Sequence, residues 1–498
     1  MPRLYHGAAF LTIAHLLGTR ADWSFPAAMK WIAAPCRAFE RLTESYSDDI
    51  IKSAFWERLL PEEIMRPANE IEKAIRRHRF SALARQLPAD EFVMPHYEGL
   101  SIANLPATIA ALLGAELPGA APPLPADLWA DLAPGVRRVV FVLLDAVGYL
   151  RFRRILEADE SLCFARLIRR GRLFPLTSVF PSTTTTALAT FWTGRTPLEH
   201  GLLGYSLYLQ EYGVVADMLS LKPMRGQGRE TLVDWGLEPE KFLPVPTLAE
   251  LLSQQGVSVR MLTRREYVDS PLSRMFHRGV AEKRGHILSS DMWVSLRHLI
   301  AQHRHERLFL AAYWGGVDGI AHMYGPTAET WPAEIRNLAF SMEREFLGPL
   351  SSAEREGTLL LIGADHGQVL APPERAVLLT KHPSLWHALA LPPSGDSRAA
   401  YLHVRDGQAD FVRTYLEERL AGQFTVLDAK RALEAGLFGQ GKMAPETPSR
   451  IGDLIALARG EASLHWGYKE PKLRGRHGGL TPEEMLVPLI AVRLDGGL

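Results

Sequence analysis

Apolar residues along this chain fall into short unbroken runs rather than alternating with polar ones. VVFVLLD (139–145), VSVRML (257–262), LFLAAYW (308–314), TLLLIGAD (358–365) and MLVPLIAV (485–492) carry apolar side chains at odd and even positions alike. A strand with two apolar faces must be covered on both, which predicts a mostly parallel sheet sandwiched by helices. Three- and four-residue apolar spacing between these runs predicts crossover helices over 184–193, 329–346 and 408–420. The expected fold class is α/β, with a mostly parallel central sheet and helices on both faces.

The first 95 residues have a different pattern. FPAAMKWIAAPCRAFERL (25–42) and PANEIEKAIRRHRFSALARQL (67–87) show helical periodicity, and no ligand cluster is visible among them. They read as a helical N-terminal segment of unassigned role. SIANLPATIAALLGA (101–115) reads as a helix, and LPGAAPPLPADLWADLAPG (117–135) as a Pro/Gly-rich linker into a catalytic domain over 136–498. Residues 371–474, punctuated by Pro and Gly, read as an insertion or cap. Within them VLDAKRALEAGLF (426–438) is a helix candidate and DLIALA (453–458) a strand candidate.

Composition narrows the function classes. Fifty-six basic and 56 acidic residues give a formal net charge of +0, so no global basic field recruits nucleic acid. Cys36 and Cys163 form no CxxC pair and read as buried or free thiols of a reducing compartment. The apolar run from Ala8 to Gly18 is too short to span a bilayer and makes a poor signal peptide. A soluble, cytoplasmic protein without a membrane span is expected.

The chemistry-bearing residues sit at the ends of the apolar runs. Asp145 closes the first, and a carboxylate there reads either as the N-cap of the next helix or as a cation ligand. Asp365-His366 closes another. Carboxylate oxygen and imidazole nitrogen are both zinc ligands, and Gly367 would permit the sharp turn that lets neighbours converge. Asp318 and His322, four apart after LFLAAYW, fall on one side of a helical turn. His477 lies in a Gly-rich turn before the last strand, and PSTTTT (181–186) opens a predicted helix, where hydroxyls serve as caps or face an anion.

In this order the motifs resemble the alkaline phosphatase superfamily, and within it the type I phosphodiesterase / nucleotide pyrophosphatase branch. Pro181-Ser182-Thr183-Thr184 matches that branch's Pro-Ser/Thr-x-Thr nucleophile segment. Thr193-Gly194-Arg195-Thr196-Pro197-Leu198-Glu199-His200-Gly201 matches its Thr-Gly-x-x-Pro-x-x-His-Gly. Both the segment rule and the ten-residue step back from Gly194 select Thr184. Asp318 to His322 with Tyr324-Gly325-Pro326, then Asp365-His366-Gly367 and His477-Gly478, complete a set spanning about 139–492.

The resemblance implies two divalent metals. One would be held by Asp318, His322 and His477, the other by Asp145, Asp365 and His366 with Thr184 as nucleophilic ligand. The family resemblance implies Zn²⁺, and the mixed O/N set also accepts Mn²⁺ or Fe. It further implies hydrolysis of a small phosphate ester through a phospho-threonine. One departure stands out: where nucleotide pyrophosphatases place an Asn after His-Gly, this chain has Tyr205, whose hydroxyl either contacts a phosphoryl oxygen or packs in the core. The Asp-Ser with Arg clamp of phosphomonoesterases has no counterpart, so a diester is favoured over a monoester. A phosphomutase and a metal-stabilised binding protein without turnover are the rival readings; a sulfatase is disfavoured because no Cys lies near position 184.

Overall fold

Seven strands form the central sheet, and the most apolar of them occupy its middle. They are β1 (Arg138–Leu144), β2 (Arg172–Thr177), β3 (Ser258–Arg264), β4 (Glu282–His286), β5 (Leu308–Trp314), β6 (Thr358–Gly363) and β7 (Leu486–Arg493), in the order β2-β7-β6-β1-β5-β3-β4. Only β7 runs antiparallel to its neighbours β6 and β2. Every residue of β1 and β6 is buried, as two-sided apolar strands require. The edge strand β4 carries Glu282, Lys283 and Arg284, charges that discourage pairing with a further strand. The computed structural model describes residues 62–226, 228–467 and 471–496. The Ala8–Gly18 run, Cys36 and most of the predicted N-terminal helical segment lie outside them.

Register aligns the chemistry. In β1, Leu144 pairs with Trp314 of β5 and Leu143 with Gly363 of β6. The three strands therefore end level, and the residues just beyond them emerge along one edge of the sheet, where sites of open α/β sheets form. Helix α1 (Glu62–Arg77) packs near β2, α2 (Thr184–Thr193) follows the threonine run and α3 (Gly316–Tyr324) follows β5. Gly194 stops α2 in a left-handed conformation, φ +67°. A capping box between Thr196 and Glu199 starts the next turn. His200 of the same motif is fully buried, its Nδ1 accepting from the Leu202 N–H at 3.1 Å, so it serves packing.

A second seven-stranded sheet is wholly antiparallel. Its order is Phe424–Asp428, Leu454–Ala458, Ala399–Leu402, Ser394–Asp396, Ser206–Leu209, Val214–Asp217 and Lys222–Pro223. The 371–474 stretch thus shares one sheet with strands nearly two hundred residues earlier in the chain. The helix expected over 426–438 is shorter: Val426 to Asp428 lie in a strand, and the helix runs Ala429–Glu434. Asp428 accepts the Arg431 N–H at 2.9 Å, and an N-cap of this kind sets where the helix begins. Cys163 is a free, buried thiol pushed up to about 12 by burial. Among the described residues no helix is long and apolar enough to cross a membrane.

A fully buried ion pair joins the two sheets. Arg398, beside the second sheet, donates from Nε and Nη2 to both carboxylate oxygens of Glu484, at 3.1 and 2.9 Å, just before β7. The remaining Arg398 donors meet the carbonyls of Gly460 and Ala462 at 2.7 and 2.6 Å. Burial opposes the Glu484 charge, but Arg398, the Thr481 hydroxyl and the Gly479 N–H outweigh it and hold the carboxyl below its usual range. Removing one partner strands a buried charge. Glu484→Ala is expected to destabilise the protein by about 3–5 kcal/mol, measured as the change in unfolding free energy in a denaturant titration. A loss under about 1 kcal/mol, the range of exposed pairs, would contradict this account.

Candidate active site

Asp145, Asp318, His322, Asp365, His366, His477 and Thr184 come together at the level edge of β1, β5 and β6. Asp145 directly follows β1 and caps no helix: the N-cap of the next one is Gly148. Ala146, in a left-handed conformation (φ 60°), turns the chain sharply after Asp145 and offers its N–H to Asp365 Oδ1 at 3.2 Å. A non-glycine residue held there is a strained position of the kind found at functional sites. The turn expected of Gly367 takes another form: its φ is not positive, and a Cβ would sit 2.0 Å from the Glu483 carbonyl oxygen. Close backbone approach explains that glycine, with its N–H held by the Glu484 carbonyl at 2.8 Å.

Each of the three histidines has its Nδ1 against a backbone carbonyl. His322 faces Gly475 O at 2.8 Å, His366 faces Gly367 O at 3.0 Å and His477 faces Ser182 O at 3.2 Å. A carbonyl can only accept, so the hydrogen-bond pattern assigns the proton to Nδ1 and leaves Nε2 as a lone pair. All three Nε2 atoms point into the cluster. His322 Nε2 lies 3.3 Å from Asp318 Oδ1, and His477 Nε2 lies 3.2 Å from His322 Nε2. His366 Nε2 is 3.5 Å from Asp145 Oδ1 and 3.6 Å from Asp365 Oδ2.

The same convergence appears in the carboxylates. Asp145 Oδ1 and Asp365 Oδ2 are buried without a hydrogen-bond donor. Burial, then the neighbouring Asp365 and Asp318 charges, push Asp145 far above the carboxylate range, and burial pushes Asp365 up as well. Burial and the two neighbouring imidazoles push His477 well below the usual histidine value, keeping it neutral. Lone pairs facing lone pairs, and buried carboxylates facing each other, make a donor set that fits a cation. Two ligand triads lie within metal-binding reach, Asp318-His322-His477 and Asp145-Asp318-His366, so Asp318 belongs to both. Asp365 adjoins the second.

The threonine run resolves by hydrogen bonding. Ser182 Oγ donates to Gly479 O at 2.7 Å, Thr183 Oγ1 to Asp396 Oδ1 at 3.0 Å and Thr185 Oγ1 to Gly204 O at 2.8 Å, while Thr186 Oγ1 is buried without a partner. Thr184, at the first position of α2, directs Oγ1 to His366 Nε2 at 3.0 Å. Tyr205 lines the space beside Thr184, but its hydroxyl donates to Asp217 Oδ2 at 3.0 Å, so its one proton is already engaged. Four supporting residues escaped the sequence reading. Tyr313 donates to Asp145 and Gln368 to Asp318, Asp396 anchors Thr183 and the Tyr205 N–H, and Glu484 holds the chain beside Gly367 and Gly479. Of these, only Tyr313 left a trace, as a hydroxyl near the end of an apolar strand.

Two cavities meet at Thr184. One, of about 410 Å³, runs inward between Phe141, Phe191, Trp192, Met261 and Phe276. The other, of about 600 Å³, passes Ser206, Pro393, Trp466 and Arg476. Thr184, Tyr205, Leu219 and Asp318 line both.

Known proteins share this architecture. Murine ectonucleotide pyrophosphatase / phosphodiesterase 5 superposes with a TM-score of 0.55 at 16% identity, covering 71% of this chain and 87% of its own. The human protein of the same name gives 0.54 at 16%, with the same coverage. Phosphonoacetate hydrolase from Sinorhizobium meliloti 1021 gives 0.52 at 18% identity, covering 72% of this chain and 90% of its own. No curated protein sequence matches the chain. At these identities the structures establish the fold alone. The sequence model described as type I phosphodiesterase / nucleotide pyrophosphatase matches residues 139–480, which take in the whole Asp/His cluster and the threonine run. The chain therefore belongs to the type I phosphodiesterase / nucleotide pyrophosphatase family and is a phosphoric ester hydrolase.

Proposed function

We propose that the protein is a two-metal phosphodiesterase that works through a covalent phospho-Thr184. The observation that carries this reading is selective orientation: of the four hydroxyls from Ser182 to Thr185, Thr184 Oγ1 alone meets the Asp/His cluster. Asp318, His322 and His477 would hold one divalent cation, and Asp145, Asp365 and His366 the other, with Asp318 placed to touch both. Zn²⁺ suits the mixed oxygen and imidazole set. When bound, the cations lower the pKa of the attacking hydroxyl and offset charge on the phosphoryl and leaving oxygens.

The chain's own residues supply position. Thr184 sits where the first-turn N–H groups of α2 have no intrahelical acceptor, and these amides would be open to a phosphoryl oxygen. Thr183 and Thr185 are tied away, to Asp396 and Gly204, so the backbone around the nucleophile is fixed on both sides. In the first step the Thr184 Oγ–P bond forms as the ester P–O bond breaks; the hydroxyl proton is lost and the leaving alkoxide gains one. In the second, water attacks phosphorus, the Oγ–P bond breaks and Thr184 is restored. His477, braced on Ser182 O, ties the nucleophile segment to the opposite side of the cluster.

The diester preference rests on the paired cavities, since a diester carries two arms and two spaces open from Thr184. Tyr205 forms part of the wall of both and contacts substrate through its ring. Murine ectonucleotide pyrophosphatase / phosphodiesterase 5, in an inactive form with one threonine changed to alanine, has been solved with AMP, which favours a nucleotide-like arm.

Three outcomes are expected. Thr184→Ala should lower turnover of an aryl phosphodiester by roughly 10³-fold or more while leaving bound metal unchanged by elemental analysis; normal turnover would refute the nucleophile. Chelation should abolish turnover and lower the melting temperature, with both restored by Zn²⁺; full activity in the stripped enzyme would exclude metal dependence. Initial-rate measurements should give kcat/KM for an aryl diester exceeding that for the matching monoester by about tenfold or more, roughly 1.4 kcal/mol of transition-state preference. The opposite order would assign the site to monoesters.

A further inference from the structure

Three residues that form no motif in the sequence come together in the fold. His78 is the first residue past α1, and His96 and Glu98 lie on a turn eighteen and twenty residues later. One ring nitrogen from each histidine and one Glu98 carboxylate oxygen lie within 4.8 Å of one another. His78 Nδ1 is 3.9 Å from Glu98 Oε2, and the two imidazole rings stack obliquely with centroids 4.5 Å apart. We propose that His78, His96 and Glu98 form a divalent-cation site of the zinc type, separate from the catalytic cluster, that clips the end of α1 to the 96–98 turn.

Four observations carry this beyond proximity. Two imidazoles and a carboxylate make a donor set that zinc accepts, with a fourth position left for water. That position has room, because Glu98 lines an open cleft of about 380 Å³ together with His78, Phe80, Tyr97, Thr196 and Gln440. The Nδ1 of His96 is buried without a hydrogen-bond partner, so no other group competes for it. The groups are also held in place: the His96 N–H donates to Thr177 Oγ1 at 2.9 Å, the Val93 N–H to Leu480 O at 2.8 Å, and the His78 N–H closes the last turn of α1.

The site has a mechanical consequence. His78 and His96 bracket a loop that carries only a short helical turn, Ser81–Leu83, and whose far end is pinned to Thr177 of β2. A cation bound at both ends closes that loop and removes its freedom in the unfolded chain. Neither histidine touches the residues proposed for catalysis, so the site is read independently of turnover.

The full-length protein, stripped with chelator and titrated with Zn²⁺, provides the test. The double variant His78→Gln/His96→Gln is expected to take up one equivalent fewer than the wild type by elemental analysis and isothermal titration, with diester turnover unchanged after Zn²⁺ is restored. Because the readout is a difference of one, it holds whatever number the catalytic cluster binds. Glu98→Gln alters a side chain that is 65% exposed and leaves packing untouched. It should weaken that one equivalent by tenfold or more and reduce the Zn²⁺-dependent rise in melting temperature. Equal stoichiometry in wild type and the double variant, or unchanged affinity in Glu98→Gln, would overturn the proposal.

Discussion

The structure turns on a collection of acceptors with nothing among themselves to accept from. Three imidazole Nε2 lone pairs and two donor-free carboxylate oxygens converge on a few ångströms of buried space. Left to themselves these groups repel, and burial sharpens the repulsion because little water is present to screen it. The protein nevertheless fixes each with a hydrogen bond on its far side: carbonyls on the three Nδ1 atoms, Tyr313 on Asp145, Gln368 on Asp318 and the Ala146 and His366 amides on Asp365. That is expensive unless positive charge arrives to reconcile it, and a site so braced cannot relax into a self-satisfied arrangement when the charge is absent. Preorganisation of this kind is what makes electrostatic catalysis effective.

Holding such a cluster open requires stiffness from elsewhere, and the Arg398–Glu484 pair supplies it. The Glu484 carboxylate receives the Gly479 N–H, two residues beyond His477, and its carbonyl receives the Gly367 N–H, one residue beyond His366. One residue thus sets the path of both histidine segments, and its own position is set by an arginine from beside the second sheet. The antiparallel sheet is therefore part of the frame of the site: Asp396, at the end of one of its strands, anchors Thr183 next to Thr184. Treating 371–474 as an appendage would miss that its buried polar groups reach the site.

How far the sequence disclosed this depends on whether the signal was local. The central strands were readable because burial on both faces leaves an unbroken apolar run, and the ligands because they end such runs at Asp145 and Asp365. Strands β2 and β4 were not: RLFPLT contains a proline and an arginine, and EKRGH has no apolar face. The second sheet was hidden because its strands are short and join 206–223 to 394–458, a pairing that no local periodicity encodes. The strained turn fell on Ala146, not on the nearby glycine, because Gly367 answers to a close contact with Glu483 and not to a backbone angle. His78, His96 and Glu98 have no metal-like spacing; only the packing of α1 beside β2 brings them together.

The field at the site follows from where its two key residues sit on helices. Thr184 is the first residue of α2, and Asp318 lies in the first turn of α3. Both helices therefore point their N-termini, each equivalent to about half a positive charge, toward the same cluster. For Asp318 this offsets part of the strain of a carboxylate shared between two ligand triads. For Thr184 it places unpaired amides beside the oxygen that would meet phosphorus. Asp145 and Asp365 leave the ends of strands, where no comparable dipole stabilises them, and burial pushes both upward. The asymmetry divides the work. The strand-end carboxylates create the demand for cations, while the helix ends keep the opposite side of the site electropositive enough to receive a phosphate ester.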